Sequence, residues 1–548
     1  LTKGLAAEAS VSFDNIGGMN ETTNKEYRYM NSNASITSDG TLVTTPAIYG
    51  TDSETLGHTQ PFERLMLRSD FQAKVDYNRT FGKHQVGGAL IYDMQSVVKN
   101  GRNNSQKNQS VLVNATYTYD NRYSLNAVFN RSGSAYLPDG DKYSNYPAVS
   151  AAWIVSNEAF MEKVTPINLF KIRASYGLSG WDGNLSHELW RQSYGSGGAG
   201  YNFGVNAGGQ SGGSEGDLPV IGLVAEKSQK ATFGFDLAAF DNRLNATVEG
   251  FYEKRSDILV SGANSTSGII GITVGQVNEG IYKYKGVDAS LSWNDKIGDF
   301  HYGIGASMSY LNTEVVNVNQ AYQEYDYLYT KGNRIGQMYG LEAIGFFNSQ
   351  QEINNSPQQT FSDVAPGDVK YKDQNGDNRI DEKDIVKMFG SSVPRFYFGF
   401  NLNFSYKRLE LSADFQGMTG VTVSLLNSPL YSPLVSNGNI SNTFLNEEIS
   451  WTPENKTNAT MPRLTTQENL NNYRASSLWY RDGSFLKLRN LLVAYTFPKS
   501  QTRFADLKVF VQGTNLFSLD NIHFADPEQL GIAYPSTRSY WAGIKLNF

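Results

Sequence analysis

The sequence has 548 residues, 40% hydrophobic and 13% aromatic, with 52 glycines, no cysteine and a formal net charge of −6. No run of about 18 apolar residues occurs and mean hydropathy is −0.42, which excludes transmembrane helices. The negative charge argues against a nucleic-acid partner, and the lack of cysteine excludes a disulfide framework and any thiolate metal site. The chain opens on Leu1 without an initiator Met or a signal peptide, which reads as a processed or partial chain.

Strand-like alternation recurs throughout. It marks sixteen segments: 5–14, 65–80, 84–98, 109–119, 123–136, 146–157, 169–180, 223–240, 244–256, 280–294, 300–312, 396–406, 409–420, 485–497, 507–518 and 538–548. The clearest is 396–406, where Phe396, Phe398, Phe400, Leu402, Phe404 and Tyr406 take the even positions and Gly399, Asn401, Asn403 and Ser405 fall between. After Lys407-Arg408 the phase flips to Leu409, Leu411, Ala413 and Phe415, as two strands joined by a tight turn require. A soluble core mixes side-chain sizes so that they interdigitate, whereas lipid needs no such fit. About 9–11 tilted residues cross a bilayer core, the length of this strand. The abundance of Tyr (33) and Phe (30) suits both sheet propensity and interfacial aromatic girdles. The expected fold class is all-β, a transmembrane antiparallel β-barrel with sixteen strands in this chain.

The connections sort into two sets. Turns at 81–83, 120–122, 158–168, 241–243, 295–299, 407–408 and 498–506 are mostly tight, while 15–64, 99–108, 137–145, 181–222, 257–279, 313–395, 421–484 and 519–537 are mostly much longer. Barrels of the outer membrane have short periplasmic turns and long external loops, so 313–395 and 421–484 are expected to be large extracellular regions. An apolar run at 332–347 (Met338, Tyr339, Leu341, Ile344, Phe346, Phe347) cannot be one more crossing, because every later loop would change sides. It must lie in the external region or pair with a second strand there.

Few motifs carry chemistry. Asp373, Asn375, Asp377, Asp381 and Asp384 stand at positions 1, 3, 5, 9 and 12 of a candidate calcium loop over 373–384, with the Arg379 carbonyl at position 7. The glycine is at position 4 (Gly376), Asn378 holds position 6, and Asp384 has a shorter arm than Glu. Ca2+ ligation and an acidic loop closed by Asx turns both fit. Gly209-Gln-Ser-Gly-Gly213 and Gly195-Ser-Gly-Gly-Ala-Gly200 match nucleophile-elbow and dinucleotide strings, but in a Gly-rich loop without the strand-to-helix context. The five histidines, His58, His84, His187, His301 and His523, are scattered, so neither a zinc site nor an enzyme is expected. The long loops are rich in aromatics: Trp181, Trp190, Tyr322, Tyr325, Tyr327, Tyr329, Trp451, Tyr473, Trp479 and Tyr480. These could stack on sugar rings or a partner's apolar surface, or form cores of the loops themselves.

Three ordered blocks resemble the C-terminal part of SusC/RagA-type TonB-dependent outer-membrane transporters: Ser228 to Leu259, Pro366 to Gly420, and Phe485 to Pro498 followed by Leu507 to Leu519. The resemblance covers most of the chain from about Tyr123 onward. It implies a 22-stranded barrel occupied by an N-terminal plug, so that the 548 residues are the C-terminal part of the barrel and the plug domain is absent from this chain. It further implies the outer membrane of a Gram-negative bacterium, no covalent chemistry, and energised uptake under a SusD-like surface lipoprotein. The TonB complex would act through the missing plug portion. Oligosaccharide is the first expected cargo; an oligopeptide importer of the RagAB type or a passive porin are the alternatives. No substrate-binding residue is assigned.

Overall fold

The structure is a computed structural model. It describes residues 3–548 apart from 37–40, 54–55, 100–104, 187–188, 203–208, 263, 265–268, 270, 273, 428–448, 466–468, 523–524 and 531–535. Sixteen strands form one sheet in strict chain order. They are β1 (Leu5–Asn24), β2 (Gly57–Phe81), β3 (His84–Lys99), β4 (Ser105–Tyr119), β5 (Tyr123–Ser134), β6 (Tyr143–Ile154), β7 (Ile167–Trp181) and β8 (Glu226–Ala239), then β9 (Leu244–Ser261), β10 (Gln276–Ile297), β11 (Phe300–Asn317), β12 (Phe396–Tyr406), β13 (Leu409–Thr419), β14 (Phe485–Phe497), β15 (Asp506–Asp520) and β16 (Ser539–Asn547). Each predicted segment falls on one of them, and the chain is all-β with antiparallel pairing.

Several strands run longer than the segments read from sequence, while β12 and β14 match theirs and β8 is shorter. β2 runs for 25 residues and β10 for 22. Alternation is enforced only where one face meets hydrocarbon, whereas the backbone ladder continues past it wherever N–H and C=O groups still find partners. Among the described residues β1 and β16 are the edges of the sheet, each with one neighbour.

Tight turns join alternate strands because their residues tolerate left-handed backbone. Lys407 (φ 54°) turns β12 into β13, and Asp120 and Asn121 (φ 51° and 52°) turn β4 into β5.

The chain divides into two compact units, residues 1–79, 86–115 and 128–146, and residues 80–85, 116–127 and 147–548. The first contains the β1–β2 ladder, Leu5 opposite Tyr77 through Asn24 opposite Gly57, and a hairpin of Tyr29–Ile36 with Leu42–Tyr49. In the second unit the register sorts side chains without exception along one rung. Trp153, Ile172, Phe235, Val248, Ala289, Met308, Phe398, Gly417, Leu486 and Leu519 lie opposite one another in succession across ten strands. One residue along, the rung reads Lys171, Asp236, Thr247, Ser290, Ser307, Gly399, Gln416, Lys487, Ser518. Successive residues point to opposite faces, so one face is apolar and the other polar; a slip of one residue would exchange them.

The apolar face is not a dry core. Phe233 is 64% exposed and Ile544 69%, and Phe396, Phe398, Phe400 and Phe404 are only half-buried. The fully buried large side chains are elsewhere: Trp479, Tyr371, Phe347, Leu223, Leu341, Ile380 and Leu425 all belong to connections. A water-soluble sheet would have this arrangement reversed.

Candidate functional site: the loop plate and the membrane face

The connections 318–395 and 420–484, both on the long-loop end, fold together. The apolar run at 332–347 pairs inside this region, as parity required: Gln337–Gly340 with Val386–Ser391, and Ala343–Phe346 with Val369–Tyr371. Thr422–Ser424 pairs with Tyr480–Asp482, and a bridge joins Leu341 to Ser476 across the two connections. One small core holds Leu341, Val369, Tyr371 and Ile380, another Leu425, Met461 and Trp479, and Leu478 packs against both. Burying such side chains is the main force available to a segment without long ladders.

Between the cores lies a polar node. Asp368, 0% exposed, accepts from Arg463 Nε at 2.7 Å and Nη2 at 3.1 Å, from Asn469 Nδ2 at 3.1 Å, Asn472 Nδ2 at 2.9 Å and the Ala365 amide at 2.7 Å. Asn472 Oδ1 accepts the Val369 amide at 2.9 Å, and Gln359 bonds the Tyr371 amide, the Val369 carbonyl and Asn471 Oδ1. A buried carboxylate persists only when its oxygens are saturated by donors and a counter-charge, and this one is. The two connections therefore behave as one plate. Sequence reading missed Asp368, Arg463, Asn469, Asn471 and Asn472. They meet across about a hundred residues, and no local spacing signals such a pairing.

The candidate calcium residues form two self-bonded groups. Asp373 Oδ1 accepts the Gly376 amide at 2.7 Å and Oδ2 the Asn378 amide at 2.8 Å, while Asn375 and Asp377 accept the Asp377 and Arg379 amides. Further along, Asp381 and Asp384 form a reciprocal cap on the short helical turn 382–384, and buried Asp384 also accepts the Gln374 amide. Among the described residues no three His, Cys, Asp or Glu side chains converge to hold a metal. The side-chain oxygens of the 373–384 loop accept backbone amides of the loop itself. The loop works as a clasp: Lys383 pairs with Glu324 at 2.8 Å, Glu382 with Arg474, and Tyr327 donates to the Lys383 carbonyl. The Gln374 amide and the Lys372 ammonium beside Glu342 hold its carboxyl below the ordinary range.

The loop aromatics divide. Trp479, Tyr480 and Trp451 are buried in the plate, with Tyr473 against Trp479 at 5.4 Å. Tyr322 and Trp181 are exposed, and Tyr325 stacks on Tyr327 at 5.3 Å. The elbow-like and dinucleotide-like strings lie in a hairpin of Tyr194–Asn202 with Gly209–Glu215, with no helix following. His84 and His301 are far apart in the strand order, and His187 and His523 lie outside the described residues.

The last long connection is bound to the polar face. Lys487, almost fully buried, meets Asp526 and Glu528, and Arg489, at the bulge of β14, chelates Glu528 at 2.6 and 2.7 Å. On the short-turn end the apolar face carries paired rings: Tyr123 with Trp153, Phe240 with Trp293, Phe300 with Phe404, and Tyr495 with Phe497. Amphipathic rings at this level mark a membrane–water interface.

An antiparallel sheet of this size, apolar on one face and aromatic at its short-turn end, defines an integral outer-membrane β-protein. Comparisons with known proteins narrow this. TonB-dependent receptor P26 of Formosa agariphila is 28% identical over 461 residues, covering 79% of this chain and 45% of the relative. TonB-dependent receptor SusC of Bacteroides thetaiotaomicron is 22% identical, covering 79% and 43%. The RagAB peptide transporter structure superposes with a TM-score of 0.75 at 18% identity, covering all of this chain and 60% of that one. No family model matches. The chain is thus similar to SusC-type TonB-dependent receptors, proteins of the Gram-negative outer membrane. It spans about half the length of the curated relatives it matches.

Proposed function

We propose that this chain supplies the membrane wall and external loop plate of a TonB-energised nutrient importer. The observation that carries the reading is the inverted distribution of burial among the described residues: large apolar side chains exposed on the strands, and the largest fully buried ones on the long connections. The first is what lipid requires, and the second gives a stiff surface on which a SusD-like lipoprotein could close. In this reading 313–395 and 421–484 face the cell exterior, and the remainder of the transporter supplies the plug through which TonB acts. The cargo is a hydrated oligomer. Oligosaccharide and oligopeptide both fit a wall lined by Asp236, Thr247, Ser290, Ser307 and Gln416, and the fold shared with the RagAB peptide transporter supports the second. Purification from native membranes with mass spectrometry of bound ligand and co-purifying chains tests both. A surface lipoprotein with bound glycan or peptide is expected, and isolation with neither would overturn the importer reading in favour of a passive pore.

A further inference from the structure

We infer that the connection between β6 and β7 is an interfacial anchor, inserting Phe160 into the phospholipid leaflet at the short-turn end. This rests on the membrane-spanning reading of the sheet. Of the short-turn connections, residues 155–166 form one of the longest, built from two short helical turns, Val155–Asn157 and Ala159–Met161. Glu158 fixes its position. Its Oε1 accepts from Tyr123 OH at 2.6 Å and from Trp153 Nε1 at 3.0 Å, and Arg122 Nη1 reaches Oε2 at 3.3 Å. Tyr123 and Trp153 stand on the apolar face, 46% and 37% exposed, so the turn is tied to that face and not to the polar one. At an interface the hydroxyl and indole N–H of such rings ordinarily bond headgroups or water; here the turn's own carboxylate takes both.

Two residues on from this tether Phe160 is 65% exposed, and six on Val164 is 37% exposed, while Val155 is buried. The polar Glu162 and Lys163 between them are exposed as well. An exposed phenyl two residues from a carboxylate bonded to an aromatic pair of the apolar face fits the boundary between acyl chains and headgroups.

The chain has no cysteine, so F160C, K163C and V149C, the last on the apolar face of β6 with Trp153 and 46% exposed in the parent, can each carry a nitroxide label in the full protein reconstituted in phospholipid bilayers. Power saturation against oxygen and against a water-soluble nickel chelate reads lipid and water contact. The label at 160 is expected to show an oxygen-to-nickel ratio several-fold above that at 163 and closer to that at 149 on the apolar face. A ratio at 160 equal to that at 163, with 149 still in lipid, would overturn the anchor while leaving the spanning sheet intact. Shielding of 160 from both reagents would also overturn it, by showing a protein contact. Water contact at 149 as well would overturn the spanning reading itself.

Discussion

Replacing Asp368 with Ala should loosen the loop plate without disturbing the sheet. The substitution leaves the side-chain amides of Asn469 and Asn472, 5% and 0% exposed, without their acceptor. At about 1–3 kcal/mol per buried orphaned donor, the pair loses about 2–6 kcal/mol. Arg463 adds little, because its side chain is 30% exposed and water can take over its bonds. At tenfold per ~1.4 kcal/mol, local opening should become roughly 30-fold to 10⁴-fold more frequent. Hydrogen exchange at the Val369 and Tyr371 amides reads this directly, since both are held by side chains of the node. Amides of the β12–β13 ladder serve as the control and should keep their rates. Exchange at Val369 and Tyr371 within a few-fold of the parent would refute the claim that the node locks the plate.

Other substitutions separate the two faces and the remaining connections. Phe398→Arg places a charge on the lipid side and should cost about 2–4 kcal/mol in assembly, scored as loss of the heat-modifiable band, whereas Ser307→Arg on the polar face should be tolerated. Chelation with EDTA should leave exchange of the Gly376 and Asn378 amides unchanged, because Asp373 holds both; slowing by added calcium would restore a cation site. For Asp526, burial opposes the charged form but the Lys487 ammonium and the Glu528 amide outweigh it, leaving the carboxyl below its ordinary range; burial likewise opposes Glu528, and Arg489 with Lys487 lowers it. Lowered carboxyls give stability that is complete above their unfolded values and is lost as pH falls through the folded ones. Proteolysis within 521–538 should therefore be constant from pH 8 to 6 and rise only below about pH 4. In Lys487→Met it should already be high at pH 7.

What the residues alone determined is the assignment of faces. Phe396 to Phe415 alternates so strongly that both strands, their turn at Lys407 and their lipid side follow from a period of two, and the parity of the connections follows from the strand count. The same arithmetic kept 332–347 out of the membrane. The ends of the longest strands, such as β2 and β10, were not legible, because hydrogen bonding outlasts the hydrocarbon zone that imprints the pattern. Nor were the node at Asp368 or the tether at Glu158. A buried carboxylate is written in sequence as an ordinary surface-type residue, and its partners at Arg463, Asn469 and Asn472, or at Tyr123 and Trp153, are brought to it only when distant segments pack. The 373–384 loop shows the same division: its spacing placed oxygens along the chain, and the fold around them sets which backbone amides they accept.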